Sequence, residues 1–318
     1  MSVTPLSVLE IPAFVTAHPT VDVRGIIDVA QTVERLGYQR IWYAERHKSL
    51  AYPPFPPAVS IARVASATSS IRVGSGGVLA VNHAPLAVAE QFAALTAFFP
   101  TRIDLGIGKG PGTVDQATAR ALRPGAEPVT DEGYHRGVAD ILRLIGEQPD
   151  PAEAWILASS PSGARLAADL GLPMAFAYHI RPQQAVETLE YYRTAFRPSR
   201  WNDSPRVMLS IQAICAETDT EADALARPIE IHRARQAINH TDQPLLDMTS
   251  AASYEFTAQE NAAVTGLREH AVQGSPRVVH ERLTALTAQF GADELMLWTP
   301  IIDAKERARS FELIMGES

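Results

Sequence analysis

The chain has 318 residues, of which 46% are hydrophobic and 20% are charged, and its formal net charge is −8. This composition is that of a globular protein with a sizeable core, and the acidic balance argues against nucleic acid as a partner, since nucleic acid requires a basic surface. No run reaches the ~18 uncharged apolar residues of a membrane span, and the single cysteine, Cys215, excludes an internal disulfide and a Cys-rich metal site. Because the N-terminal residues also lack a secretory signal pattern, we expect a cytoplasmic protein without a membrane partner or a metal.

Short apolar runs alternate with longer helical patterns along the chain, which is typical of parallel strands joined by crossover helices. Proline at the start and glycine or proline after the end mark several of the predicted helices. The predicted strands are 6–11, 40–45, 71–80, 102–108, 154–159, 174–179, 206–215 and 293–299. The predicted helices include 23–36, 57–69, 85–98, 161–170 and one that begins near Pro276.

Eight strands separated by helices predict an α/β fold, a single-domain (β/α)₈ TIM barrel that spans residues 1–318. An open doubly wound sheet is the alternative. The segment 236–275, between the seventh strand and the helix near Pro276, is polar and weakly periodic. We expect it to form an inserted long loop with short helices, and long insertions commonly border the active site.

The glycine-rich stretch TRIDLGIGKGPGT, residues 101–113, suggests a phosphate site but fits neither of two common nucleotide motifs. A dinucleotide fingerprint requires G-x-G-x-x-G, and Pro111 stands in place of the third glycine. A P-loop requires Ser or Thr after Gly-Lys, and Gly110 follows Lys109. A different fold must therefore supply the context for this stretch.

Active sites of (β/α)₈ barrels lie at the carboxyl ends of the strands. In this chain the predicted strand ends carry polar, aromatic and glycine residues, namely Glu45 with His47, Gly76 with Gly77, Gly108 with Lys109, Ser159 with Ser160, Tyr178 with His179, and Trp298 with Thr299. A lysine and two serines are able to hold a phosphate. The serines also suit the cap of the helix that begins at Pro161, and a helix N-terminus binds anions as well.

Five segments carry a specific combination of motifs, in the order RIWYAERH (40–47), IRVGSGGVLAVNHAPLAVAEQFAAL (71–95), RIDLGIGKGPGT (102–113), SSPSGARLAADLGLPMAFAYH (159–179) and GSPRVVHERLTALTAQFGADELMLWTP (274–300). Together they resemble the bacterial luciferase-like flavin-dependent monooxygenases over most of the chain, most weakly at 236–275. The resemblance implies a (β/α)₈ barrel that binds FMN, commonly as reduced flavin from a separate flavin reductase. It also implies a homodimer.

The resemblance implies a place for the FMN phosphate. Lys109 matches the position at which the luciferase α-subunit has a phosphate-binding arginine, and Ser160 matches a phosphate-binding serine. Ser159 stands where that protein has a glutamate. Lysine in place of arginine gives up the bidentate guanidinium fork.

The resemblance also implies a place for the flavin ring. Gly76 and Gly77 match a pair joined by a non-proline cis peptide bond beneath the isoalloxazine ring, and Tyr178 matches an aromatic residue near the flavin. The catalytic candidates are His47 and Glu45. His47, together with Glu45, would orient or protonate the oxygenated flavin. The family's frequent Glu-His-His is Glu45-Arg46-His47 here, and since arginine does not shuttle protons at neutral pH, this departure argues against light emission.

The sequence therefore predicts a monooxygenase that uses reduced FMN and O₂, through a C4a-peroxyflavin, to oxygenate a small organic substrate such as an aldehyde or ketone. An F420-dependent hydride-transfer enzyme on the same barrel is one alternative, and a non-catalytic flavin-binding protein is another. The cofactor that binds in titration distinguishes the first alternative, and the fate of bound flavin in oxygen distinguishes the second.

Overall fold

A computed structural model describes residues 4–13, 22–125, 129–239 and 242–316. Its strands are β1 (Leu6–Glu10), β2 (Arg40–Tyr43), β3 (Arg72–Leu79), β4 (Ile103–Gly108), β5 (Glu153–Ala158), β6 (Met174–Ala177), β7 (Val207–Cys215), β8 (Val272–Gly274) and β9 (Glu294–Trp298). Its helices are α1 (Val23–Arg35), α2 (Pro57–Ala65), α3 (Pro85–Phe98), α4 (Gln116–Leu122), α5 (Asp131–Ile145), α6 (Pro161–Leu170), α7 (Ala185–Ala195), α8 (Asp219–Asn239), α9 (Met248–Ala252), α10 (Ala258–His270), α11 (Pro276–Phe290) and α12 (Ala304–Met315).

Eight parallel strands close into a barrel. Strands β1 to β7 are neighbours in chain order, and β9 pairs with both β7 and β1. The predicted (β/α)₈ barrel is therefore confirmed, and the open-sheet alternative is wrong. The short strand β8, which was not predicted, pairs with the end of β7, where Ala213 lies opposite Val272.

The local sequence explains where several helices begin and end. Helices α2, α3, α6 and α11 begin at a proline, whose fixed backbone angle suits the first turn. Helices α6 and α11 end at Gly171 and Gly291 in the left-handed conformation that glycine adopts without steric cost. Among the described residues, no helix is both long enough and apolar enough to cross a bilayer.

The segment 236–275 is more helical than expected. It contains the end of α8, the short α9, the 13-residue α10 and the strand β8, while residues 240 and 241 lie outside the described part of the chain. Helix α10 begins with a capping box in which Thr257 and Glu260 exchange hydrogen bonds. This insertion follows the seventh strand, as predicted, and reaches the mouth of the barrel.

The core has two layers, because alternate strand residues point into the barrel and out towards the helices. The inner layer includes Leu9, Trp42, Trp155, Met208 and Met296. The outer layer, beneath the helices, includes the large apolar side chains of the alternate positions, such as Ile41, Leu105, Ile156, Phe176 and Leu297.

A buried ion network joins the strands at the N-terminal end of the barrel. The Arg40 side chain donates from Nη1 to Asp104 Oδ2 (2.8 Å) and from Nε to Glu294 Oε1 (2.8 Å). Asp104 also accepts hydrogen bonds from Trp42 Nε1 (2.8 Å) and Arg72 Nε (2.8 Å). Because Arg40 is 3% and Asp104 0% exposed, these charges depend on one another for solvation.

We expect the substitution Asp104→Asn to destabilise the protein by about 3 kcal/mol, since it leaves part of a buried guanidinium charge unpaired. The measurement is the free energy of unfolding in urea. The matched control is Asp140→Asn, at an exposed position of α5, for which we expect a change within about 0.5 kcal/mol. Equal losses in both variants would contradict the role assigned to Asp104.

Candidate active site at the barrel mouth

A buried carboxylate organises the rim next to β2 and β3. Glu45, which is 1% exposed, accepts the Leu79 backbone N–H on Oε2 (2.9 Å), and its Oε1 lies 2.6 Å from His47 Nε2 and 2.9 Å from His83 Nε2. Burial opposes ionisation, but the hydrogen bonds from His83, Leu79 and His47 hold the pKa of Glu45 below its ordinary value. Glu45 is therefore an ionised acceptor that fixes the orientation of two imidazole rings.

His83 and Asn82 are site residues that the sequence analysis did not assign. The Asn82 side chain donates to Glu45 Oε1 (3.3 Å) and to the Pro111 carbonyl (3.1 Å). Both residues stand in the segment 71–95, just after the end of β3, but the resemblance gave neither of them a role. The structure brings them to the same carboxylate as His47.

A cavity of about 600 Å³ opens at the carboxyl ends of the strands. His47 lies on its wall, as predicted from its place after β2, while Glu45 lies behind His47. The insertion 236–275 contributes Ala237, at the end of α8, and Leu267 of α10. The wall also includes Ile11, Arg46, Tyr52, His179, Arg233 and Trp298.

Arg233 and His179 form a fixed polar unit on this wall. Arg233 donates from Nη1 to Gln212 Oε1 (2.7 Å) and from Nη2 to the His179 carbonyl (2.7 Å). Burial, opposed by the hydrogen bond to Ser210 and assisted by the charges of Arg233 and Arg46, lowers the pKa of His179 to about 4. His179 is thus neutral at pH 7, with Nδ1–H donating to the Ser210 carbonyl (3.1 Å) and Nε2 left as an acceptor.

Lys109 lies at a second place on the rim, where β4 and β5 end side by side. These strands are neighbours, with Ile107 opposite Ile156. The Lys109 ammonium forms an ion pair with Asp131, the first residue of α5. The hydrogen bond and charge of Lys109, with a smaller contribution from the Ser162 hydroxyl, lower the pKa of Asp131. Lys109 and the first turn of α6 therefore meet at one carboxylate.

Ser159 and Ser160 lead into α6. Ser160 is the N-cap residue, with an extended backbone (φ −159°, ψ 162°), and its hydroxyl makes no capping hydrogen bond. Both residues are half-buried. That Ser160 and the N-terminal end of α6 bind an anion together with Lys109 stays a prediction.

Gly76 and Gly77 form a narrow part of the barrel wall in β3, and the peptide bond between them is cis, the geometry that the resemblance implies. A Cβ atom at Gly76 would lie 2.6 Å from Leu9 Cδ1, and one at Gly77 would lie 2.7 Å from the Gly106 carbonyl oxygen. Both distances are too short for a side chain. That these glycines support a flavin ring stays a prediction.

Tyr178 does not lie on the cavity wall. Its ring packs against Phe290 of α11 (centroids 5.3 Å apart), and its hydroxyl lies 3.3 Å from His270 Nδ1. Tyr178 and His179 lie in the turn that follows β6, and the Tyr178 ring joins Phe176 in the outer layer while His179 lines the cavity. A place for Tyr178 beside the flavin stays a prediction that this orientation does not favour.

The fold and the rim define a (β/α)₈ barrel with a candidate active site at the carboxyl ends of its strands. Residues 7–124 and 117–294 match the family described as luciferase-like monooxygenase. The chain belongs to this family, as the sequence motifs predicted.

Two curated relatives span nearly the whole chain. YvbT of Bacillus subtilis (strain 168) is 36% identical over 302 residues, which cover 92% of this chain and 89% of that protein. A luciferase-like monooxygenase of Escherichia coli (strain K12) is 33% identical over 304 residues, which cover 91% and 89%.

Solved structures share the fold. The crystal structure of apo-MsnO8 has a TM-score of 0.85 at 33% identity and covers 99% of this chain and 98% of that one. A second structure is the oxygenating constituent of 3,6-diketocamphane monooxygenase from Pseudomonas putida, in complex with FMN. It has a TM-score of 0.73 at 17% identity and covers 99% of this chain and 97% of that one. An F420-dependent secondary alcohol dehydrogenase has a TM-score of 0.69 at 13% identity and covers 97% and 97%.

We expect Glu45→Gln to lower the free energy of unfolding by about 2 kcal/mol at neutral pH, because a buried, hydrogen-bonded charge is lost. Since the pKa of Glu45 is lowered in the folded protein from its ordinary value of 4.5, its ionised form stabilises the fold above that pH. This contribution is lost as the pH falls below that value and towards the folded-state pKa.

The measurement is urea unfolding of both proteins from pH 7 down to acid. The difference between them should shrink below pH 4.5, the ordinary value. Glu132→Gln, at an exposed carboxylate of α5 that pairs with Arg136, is the matched control. A gap that stays constant with pH would show that Glu45 acts by packing alone.

Proposed function

We propose that this protein is an FMN-dependent monooxygenase that oxygenates a small organic substrate such as an aldehyde or ketone. Its reduced FMN would come from a separate flavin reductase, and the protein would act as a homodimer in the cytoplasm. The observation that carries the proposal is the Lys109 ammonium beside the N-terminal turn of α6, on the same barrel rim as the Glu45–His47 pair. Membership in the luciferase-like monooxygenase family and the FMN complex of one structural neighbour support it.

The residues present fit a flavin phosphate. The ammonium of Lys109 supplies positive charge, and its present partner, Asp131, is an exposed carboxylate that an incoming phosphate would displace. The free hydroxyl of Ser160 and the positive end of α6 supply further donors. The flavin ring would then lie towards Gly76 and Gly77. When bound, reduced FMN supplies the electrons with which O₂ is activated.

His47 is the residue placed to hold or move a proton at this site. Its Nε2–H donates to Glu45, which fixes the ring and leaves Nδ1 to exchange a proton. Arg46, on the same cavity wall, keeps its charge at neutral pH and takes no part in proton transfer. Helices α8 and α10 border the mouth and limit the entry of water.

We expect Lys109→Ala to weaken the binding of reduced FMN by about tenfold or more, because a charge-assisted contact to the phosphate is lost. The binding of reduced riboflavin, which lacks the phosphate, should be unchanged. Asp131→Asn should instead tighten FMN binding, since it removes the competing carboxylate. The measurement is an anaerobic titration of each variant, with Lys305→Ala on α12 as the matched control.

Equal FMN affinity in Lys109→Ala and the parent protein would overturn the phosphate site. A parent protein that binds F420 but not FMN would make the protein an F420-dependent hydride-transfer enzyme, the alternative that one fold neighbour represents.

A second measurement tests catalysis. The anaerobic complex with reduced FMN is mixed with oxygen, and the return of oxidised-flavin absorbance is recorded. His47→Gln keeps a donor to Glu45 but does not exchange a proton at pH 7, so we expect similar FMN affinity and a rate that differs from the parent's by about tenfold or more. Oxidation in the parent at the rate of free flavin, with no product from any aldehyde or ketone, would indicate a non-catalytic flavin-binding protein.

A further inference from the structure

We infer that the substrate of this site carries a carboxylate, and that Arg233 and Arg46 bind it in the cavity beside His47. The inference rests on the proposed function for the reaction that follows, but the binding itself is tested without it.

The first observation is that two arginines on the cavity wall form no ion pair among the described residues, although the carboxylates of Asp242 and Glu45 act on Arg46 through their charge. Arg233 is held by neutral acceptors, Gln212 and the His179 carbonyl, and Arg46 makes one long contact of 3.5 Å to the Glu45 carbonyl. In the part of the chain that the structure describes, no carboxylate forms an ion pair with either guanidinium. Both face the same cavity of about 600 Å³.

Two more deeply buried arginines of this protein each have a carboxylate partner, whereas Arg46 and Arg233 are half-buried. Arg40 pairs with Asp104 at 2.8 Å, and Arg307 pairs with Glu10 at 3.0 Å. A guanidinium withdrawn from water normally needs such a partner. Burial lowers the pKa of Arg46, against the opposing charges of Tyr52, Asp242 and Glu45, and it also lowers the pKa of Arg233. An anion that enters the cavity would supply the missing charge.

The second observation is that Arg233 is preorganised. A guanidinium has five N–H donors in a planar fork, and the contacts to Gln212 and to the His179 carbonyl fix one part of the group. The group also lies over the Trp298 ring, 5.9 Å from its centroid. The remaining donors are available to a carboxylate, whose two oxygens match the fork.

The remaining charges of the cavity leave its wall positive. Among the described residues that line the wall, Asp242 alone is acidic, and its carboxylate accepts the Leu50 backbone N–H at 2.5 Å. Burial lowers the pKa of His179 and His232, so both are neutral at pH 7. Two guanidiniums therefore face one carboxylate, and the excess charge suits a monoanion.

Apolar side chains complete the wall and define the rest of the ligand. Ile11, Val114, Leu267 and Trp298 line the same cavity. A polyanion would make no favourable contact with these apolar side chains. An organic acid with an apolar body would contact both the arginines and the apolar side chains. The ligand class is thus a small organic carboxylate with an aliphatic or aromatic body.

The test compares hexanoate with hexanamide, which has the same shape without the charge. Each is titrated into the full chain, first without flavin and then with saturating reduced FMN, by calorimetry and by tryptophan fluorescence. We expect the parent protein to bind hexanoate about tenfold more tightly than hexanamide. We expect Arg233→Gln and Arg46→Gln each to weaken hexanoate binding about tenfold or more and to leave hexanamide binding unchanged.

Two further variants separate charge from folding. Asp242→Asn should tighten hexanoate binding severalfold, because it removes the opposing carboxylate, and a misfolded protein would not gain affinity. Arg277→Gln, which removes an exposed arginine of α11 that pairs with Glu281, is the matched control and should bind both ligands as the parent does.

Equal affinity of the parent for hexanoate and hexanamide, or no binding of either, would overturn the inference. It would also be overturned if Arg233→Gln weakened reduced FMN and spared hexanoate, because the arginine would then serve the flavin. Failure of the proposed function gives a different pattern, in which Lys109→Ala leaves FMN binding unchanged while the carboxylate preference persists in the flavin-free protein.

Discussion

The barrel depends on the charge of Arg40, which joins residues at the beginnings of strands that are far apart in the chain. Its guanidinium binds Asp104 on β4 and Glu294 on β9, so the N-terminal end is closed by groups that satisfy one another. The carboxyl end is built differently. There, Arg46 and Arg233 face a cavity that Asp242 also lines, and neither guanidinium forms an ion pair among the described residues. One end of the barrel therefore serves stability, and the other is left ready for a ligand.

At the carboxyl end, Glu45 has the organising role. It connects the end of β2 to the end of β3 through the Leu79 N–H and holds the rings of His47 and His83. Because this carboxylate is already satisfied, it is not free to bind substrate, and of the two histidines it orients, His47 lies on the cavity wall. A positive wall on one side and a proton-exchanging imidazole on the other together define a polar site in an otherwise apolar barrel.

Much of this arrangement follows from sequence patterns, because buried parallel strands and the Pro and Gly at helix ends leave strong signals. The strand-end rule also brought His47 and Glu45 to the rim. It did not resolve which way Tyr178 points, since a two-residue periodicity fixes orientation only when the register is known. Arg233 could not be predicted as a site residue for another reason. It lies on a helix that borders the mouth of the barrel, and no local motif marks such a residue. The three-residue β8 is too short for any periodicity.

Pro228 lies inside α8, between the start of that helix and Arg233. Proline offers no N–H to the carbonyl of Ala224, so the helix lacks one rung of its hydrogen-bond ladder at this point. The part of α8 that follows carries Arg233, Gln236 and Ala237 along the edge of the cavity. Because the same half of the helix borders the entrance and carries Arg233, any displacement of this half would change the width of the entrance and the position of the Arg233 fork together.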